Sequence, residues 1–187
     1  MTRPTPSQTV GPFFHIGLGY ETIEEMVDPD RHGAIRIEGV VSDGEGAPVN
    51  DAMIEIWQAD EEGRYPGQGD GDAEPAAADG FRGFGRCATD DEGRFRFVTV
   101  KPGRVPGLNG AMQAPHIEVS VFARGLLKRL VTRIYFPGET EANRADPVLA
   151  QIDDPDHRAT LLAVEEDGGY RFDIRLQGDR ETAFFDI

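Results

Sequence analysis

The sequence predicts a mainly β protein, folded as a β-sandwich, and three observations carry that expectation. Short runs in which apolar and polar residues alternate recur along the chain, as strands require when successive side chains point to opposite faces. Clusters of Gly, Asp and Pro separate these runs, and the chain holds 23 Gly and 13 Pro. Helical patterning is sparse. Strands of about five to eight residues spaced by turns suit two packed sheets. With 187 residues and 39% hydrophobic content, the chain can bury a real core as one domain spanning 1–187.

The elements follow in order. Residues 1–20 read as an extended N-terminal arm, because Pro4, Pro6 and Pro12 block regular helix, while "VGPFFHIGLGY" carries apolar weight that must pack on something. "ETIEEMVD" reads as a short helical turn. In the first strand Ile35, Ile37 and Val41 alternate with Arg36, Glu38 and Val40, and "DGEG" turns the chain. In "AMIEIWQADEEGRY", Met53 and Glu55 alternate with Ile54 and Ile56, Trp57 is expected in the core, and an acidic turn follows. Residues 66–85 are dominated by Gly, Ala, Asp and Pro and form a long loop. "RCATDDEGRFRFVTVKPG" reads as a hairpin about "DDEG", with Phe95, Phe97 and Thr99 opposite Arg94, Arg96 and Val98. After the loop "RVPGLNGAMQA", "PHIEVSVFA" and "KRLVTRIYF" make two more strands. "DDPDHRATLLAVEED" is the best helix, with Asp154 as N-cap, Pro155 at its first position, and Leu161 and Leu162 inward. The last strand, "GYRFDIRLQG", sets Tyr170, Phe172, Ile174 and Leu176 against Arg171, Asp173, Arg175 and Gln177.

Charge narrows the function. Against 34 acidic residues stand 19 basic ones, a net charge of −15. So acidic a chain attracts neither nucleic acid nor an anionic membrane, and a docking partner would need local basic groups. Its one cysteine, Cys87, excludes an intrachain disulfide and reads as packing rather than chemistry. No apolar run approaches the roughly 18 residues of a membrane span, and the proline-broken N-terminus does not read as a signal peptide, so a cytoplasmic protein is expected.

The chain has no Ser-His-Asp context, P-loop, dinucleotide glycine fingerprint or paired-cysteine zinc pattern. Of its four histidines, His32 and His157 lie in acidic stretches and should be solvated, and His15 should pack within the arm. His116 opens a strand behind a loop, where sites are usually carried. Glu118 shares its face, two residues on. A His-x-His pair there would be a metal grip. His-x-Glu can be a weaker grip, a salt bridge, or the remnant of a lost grip, and residue type alone leaves all three open.

The ordered motifs "TPSQTVGPFFHIGL", "EIWQADEEGRY", "GFGRCATDDEGRFRFVTVKPG", "APHIEVSVFARG", "TRIYF", "YRFDIRLQG" and the terminal "FFDI" resemble the intradiol ring-cleavage dioxygenases over nearly the whole chain. The resemblance is closest to the non-iron, α-type subunit of the heteromeric members. It implies a mixed β-sandwich and a homologous β subunit as partner. It also implies a ferric iron, Fe(III), held in that β subunit by two tyrosines and two histidines. The substrates it implies are protocatechuate and O₂, with cleavage between the hydroxyl-bearing carbons to 3-carboxy-cis,cis-muconate. Carried over position by position, the first tyrosine ligand falls on Tyr65, the second on Val105, and the histidine pair on His116 and Glu118. Since valine cannot coordinate hard ferric iron, the resemblance implies a vestigial site with no metal and no catalytic side chain in this chain. It further implies that Thr9, Gly11 and Pro12 of the arm, and Arg124 of the "FARG" turn, contribute to the partner's substrate pocket. There a guanidinium would suit a carboxylate. Two rival readings are an autonomous dioxygenase with altered ligands and a stand-alone β-sandwich binding module.

Overall fold

A computed structural model describes residues 5–11, 16–18, 22–66, 81–107 and 110–186. Pro12, His15 and most of the 66–85 loop lie outside the described residues. In chain order the strands are β1 (Ala34–Ser42), β2 (Met53–Trp57), β3 (Phe84–Ala88), β4 (Arg94–Val100), β5 (Val105–Pro106), β6 (Met112–Gln113), β7 (His116–Phe122), β8 (Leu130–Tyr135), β9 (Val164–Glu166), β10 (Gly169–Arg171) and β11 (Ile174–Arg175). Short helices at Thr140–Arg144 and Pro155–Ala159 follow β8.

One sheet is built around β1, which pairs antiparallel with β4 on one side and parallel with β10 and β11 on the other. The second is antiparallel, in the order β3-β2-β7-β8. The parallel pairings make the sandwich mixed. Alternation places the apolar faces inward from both sides. Ile37, Val41, Phe95, Phe97, Phe172 and Ile174 of the first sheet join Ile54, Ile56, Cys87, Ile117, Val119, Val121 and Ile134 of the second in one core. Truncating the fully buried Phe97 to alanine would cost about 3–5 kcal/mol. One polar link crosses this core: Thr99 Oγ1 donates to Gln58 Oε1 at 2.8 Å, and Gln58 Nε2 donates to the Val100 carbonyl at 2.9 Å. Burial pushes the Cys87 thiol up to about 11, so it behaves as a packing group.

Four expectations are corrected. The "DDEG" segment is not a hairpin turn, because β3 pairs with β2 and β4 with β1; it carries the chain from one sheet to the other. Asp90 Oδ1 accepts from the Glu92 and Arg94 amides, and Gly93 at φ 73° approaches β1 so closely that a Cβ would lie 2.7 Å from the Val41 carbonyl oxygen. Residues 22–27 are not helical. Their backbone bridges the two edge strands, Ile23 to Arg86 of β3 and Glu25 to Val98 of β4, since exposed strand edges supply hydrogen bonds that a short helix lacks. Trp57 is 39% exposed on the outer face of its sheet rather than in the core. The last helix keeps its Asp154 cap, which accepts from the Asp156 amide, but ends at Ala159. Leu161 is then fully buried while Leu162 is exposed, and "VEE" becomes β9.

Candidate functional site

The positions singled out in the sequence fall at the two ends of β7, a strand of seven residues spanning roughly 20 Å. At its start, His116 and Glu118 face outward together, as their spacing requires. The β8 ladder sets Tyr135 opposite His116 and Arg133 opposite Glu118. A small second core of Ala114, Tyr135, Ala142, Leu149, Leu161 and Ala183 covers this end. Tyr65 arrives from the turn after β2, where Asp60 Oδ1 accepts from the Glu62 and Arg64 amides. Gly63 packs so tightly on the next loop that a Cβ would sit 2.1 Å from the Arg104 carbonyl oxygen, and the Gly103 amide donates to the Asp60 carbonyl at 2.8 Å. Two glycines therefore let the Tyr65 turn and the Val105 loop lock together. Val105 is buried and pairs with Gln113 across β5 and β6. The Tyr65 ring stacks on Trp57, centroids 6.0 Å apart.

Arg133 is the centre of this group, and sequence reasoning missed it. Its Nη2 meets Glu118 Oε1 at 2.6 Å, and its Nη1 meets Gln113 Oε1 at 2.6 Å and the Tyr135 hydroxyl at 3.4 Å. Its guanidinium lies 5.9 Å from the Phe185 ring centroid. Burial opposes its charge, but Tyr135 and Glu118 raise its pKa and hold it cationic. His116 is buried, and its Nδ1–H donates to the Ala114 carbonyl at 2.8 Å, which leaves Nε2 with the lone pair. Burial, seconded by Arg133, holds its pKa below the usual histidine value. The approach of Nε2 to Glu118 at 3.9 Å does not offset this. Burial and the Glu118 charge raise the Tyr65 pKa, so it stays a phenol. Behind them Asp146, fully buried, accepts from Ala114 N at 2.7 Å, Val148 N at 2.8 Å, Leu149 N at 2.9 Å and the Tyr135 hydroxyl at 3.3 Å.

This donor set does not suit ferric iron. Val105 offers no donor, and the Glu118 oxygen is taken by a guanidinium that already supplies positive charge. Of the three open readings of His-x-Glu, the structure places Glu118 in a salt bridge, and with Arg133 rather than with His116.

At the other end of β7 stands Arg124, its side chain 76% exposed, with Nε 2.8 Å from Asp51 Oδ2. Gly125 follows at φ 86°, a left-handed conformation that frees its amide to meet the arm. That amide donates to Thr9 Oγ1 at 2.7 Å. The structure thus brings together two residues more than a hundred positions apart that were singled out separately, Thr9 and the Arg124 turn. Gly11, two residues after Thr9, is exposed.

The dioxygenase family model matches residues 19–178. The chain belongs to the intradiol ring-cleavage dioxygenase family. It is 46% identical to the protocatechuate 3,4-dioxygenase alpha chain of Pseudomonas putida, covering 98% of this chain and 96% of that one. It is also 40% identical to the beta chain from Burkholderia cepacia, over 79% of this chain and 66% of that one. Among solved structures, the dioxygenase domain of a carbohydrate-binding fusion protein from Streptomyces sp. SirexAA-E superposes with a TM-score of 0.59. It is 27% identical, with 94% of this chain and 99% of that one covered. No helix among the described residues is long and apolar enough to cross a membrane.

Proposed function

We propose that this chain is the alpha, non-iron subunit of a protocatechuate 3,4-dioxygenase. With a homologous beta chain that holds ferric iron, it opens protocatechuate with O₂ to 3-carboxy-cis,cis-muconate. One observation carries the reading: a chain akin to both alpha and beta chains of one enzyme has an arginine bonded to the glutamate of its His-x-Glu pair. The iron, which would supply the oxygen chemistry, belongs to the partner, and no reaction step falls to side chains of this chain.

Its contribution is to shape the substrate's entrance. Arg124 pairs with Asp51 but keeps most of its side chain in solvent, where its guanidinium would meet the substrate carboxylate. In the free chain an exposed guanidinium attracts such a group weakly. A partner wall closing over it would remove water and strengthen the charge-assisted hydrogen bonds. Thr9 ties the arm to this turn, so Gly11, two residues on, would reach the same pocket. The test is purification. The chain should co-purify with a homologous chain bearing two tyrosines and a His-x-His pair, and show iron–tyrosinate colour only in that complex. A colourless partner-free chain that cleaves nothing fits the reading, whereas turnover of protocatechuate by the chain alone would sink it.

A further inference from the structure

The pocket at the start of β7 holds an imidazole, a carboxylate, two phenols and a carboxamide, and in their midst stands one guanidinium. Arg133 touches Glu118, Gln113 and the Tyr135 hydroxyl. His116 turns its lone-pair nitrogen toward Glu118, and the His116 and Tyr135 rings are 5.7 Å apart. A half-buried carboxylate among such neighbours needs a compensating cation, and a metal ion is one solution. We infer that the Arg133 guanidinium is the resident cation of this pocket: it takes the place that a metal ion would hold among His116, Glu118 and the tyrosines, and it shuts metal out.

This goes beyond the subunit assignment above, because it concerns what closes the pocket rather than what the complex does. Losing Val105 as a donor would by itself leave a weaker metal site, with His116, Glu118 and Tyr65 still present. A charged side chain anchored on three oxygen atoms is a different obstacle. It occupies the volume, engages the carboxylate and repels any cation that approaches. It is also placed by ladder register, opposite Glu118, so the strand pairing delivers it without help from a ligand.

Arg133→Gln and Arg133→Lys separate charge from shape, since glutamine keeps hydrogen bonding without charge and lysine keeps the charge without the planar fork. Each is introduced into the complex with the partner chain, equilibrated with Co²⁺, dialysed, and analysed for cobalt and for its visible absorption. Arg133→Gln should hold close to one cobalt ion per complex more than wild type, with an absorption spectrum that Glu118→Gln in the same background abolishes. Arg133→Lys should hold no more than wild type. Thermal melts give a second reading that needs no metal: Arg133→Gln should melt lower than Arg133→Lys, and Co²⁺ should raise the melting point of Arg133→Gln alone. If Arg133→Gln fails to assemble while Arg133→Lys assembles, the need for a cation stands. The inference is overturned if Arg133→Gln takes up no additional cobalt, if wild type or Arg133→Lys takes up as much, or if both variants fail to assemble. The test uses the complex and so rests on the subunit assignment, but none of its readouts depends on turnover: extra cobalt that fails to bind overturns this inference and leaves that assignment standing, whereas a wild-type chain that forms no complex overturns the assignment instead.

Discussion

The two ends of β7 have opposite characters. At the His116 end Arg133, Glu118, Gln113, Tyr135 and Asp146 are hydrogen-bonded to one another or to the backbone, and the residues are buried or half-buried. At the Arg124 end one exposed guanidinium is tethered by a single carboxylate, and an arm reaches over through one hydrogen bond. A polar group satisfied within its own chain stabilises the fold and has little left to offer a ligand. A polar group left in solvent adds little to the fold but remains free to bind. The same strand therefore carries a polar cluster turned inward into structure at one end and, just past the other, a guanidinium turned outward into solvent. Changes at the first end should be read in stability, and changes at the second in activity.

The largest effect should come from Asp146. It is fully buried and serves three backbone amides and the Tyr135 hydroxyl. Asp146→Ala leaves those donors unsatisfied beneath His116, at a cost on the order of 3–5 kcal/mol. Asp146→Asn, which keeps acceptor oxygen, should cost less than half of that. Denaturant melts of the two variants decide the matter. A near-neutral Asp146→Ala would mean that the covered end is not held by this carboxylate, and the contrast between the two ends would weaken.

Arg124→Ala should do the reverse. Stability should change by no more than about 0.5 kcal/mol, because the side chain is mostly in solvent. In the complex, losing a charge-assisted hydrogen bond to the substrate carboxylate should cost about 1.5–3 kcal/mol, roughly a ten- to hundred-fold loss in kcat/KM. That loss should appear mainly in KM if the contact is equal in ground and transition states. Arg124→Lys should recover part. Catechol, which lacks the carboxylate, is the control: an equal loss on catechol would assign Arg124 to subunit docking instead.

Much of this contrast was legible in the sequence, but unevenly. Alternation told which face of each strand is apolar, and Phe95, Phe97, Phe172 and Ile174 are buried as that pattern requires. It could not tell which strands pair. Both strands flanking "DDEG" present one apolar face, and that is as true of two strands facing each other across a core as of two neighbours in a sheet. Trp57 was misplaced for a related reason, since a tryptophan that ends a strand can also stack on a turn, as it does on Tyr65. Family resemblance pointed to Tyr65, Val105, His116 and Glu118, yet not to Arg133, which bonds Glu118. Arg133 sits in the apolar run from Leu130 to Phe136, two residues from Tyr135. A cation in such a run is itself a signal that something opposes it. Knowing that the opposing group is Glu118 takes the β7–β8 register, which the connection between the strands sets and residue types do not show.

The smallest and most selective prediction concerns the proton on His116. Burial, with Arg133 second, lowers its pKa in the folded chain below the ordinary value near 6.5, which the unfolded chain keeps. The sign follows from proton counting. Between the folded pKa and about 6.5 the unfolded state binds the proton and the folded state does not, so acidification favours unfolding. His116 thus contributes full stability above pH 6.5 and loses it as pH falls toward the folded pKa, at no more than about 1.4 kcal/mol per pH unit. His116→Asn retains a donor for the Ala114 carbonyl but has nothing to titrate. It should melt below wild type at pH 7.5, and the gap should narrow steadily by pH 5.5. Arg124→Ala, at the other end of the strand, should track wild type across the same range. Should the gap between wild type and His116→Asn stay constant with pH, the imidazole is not held neutral, and the covered end is less closed to protons than its hydrogen bonds imply.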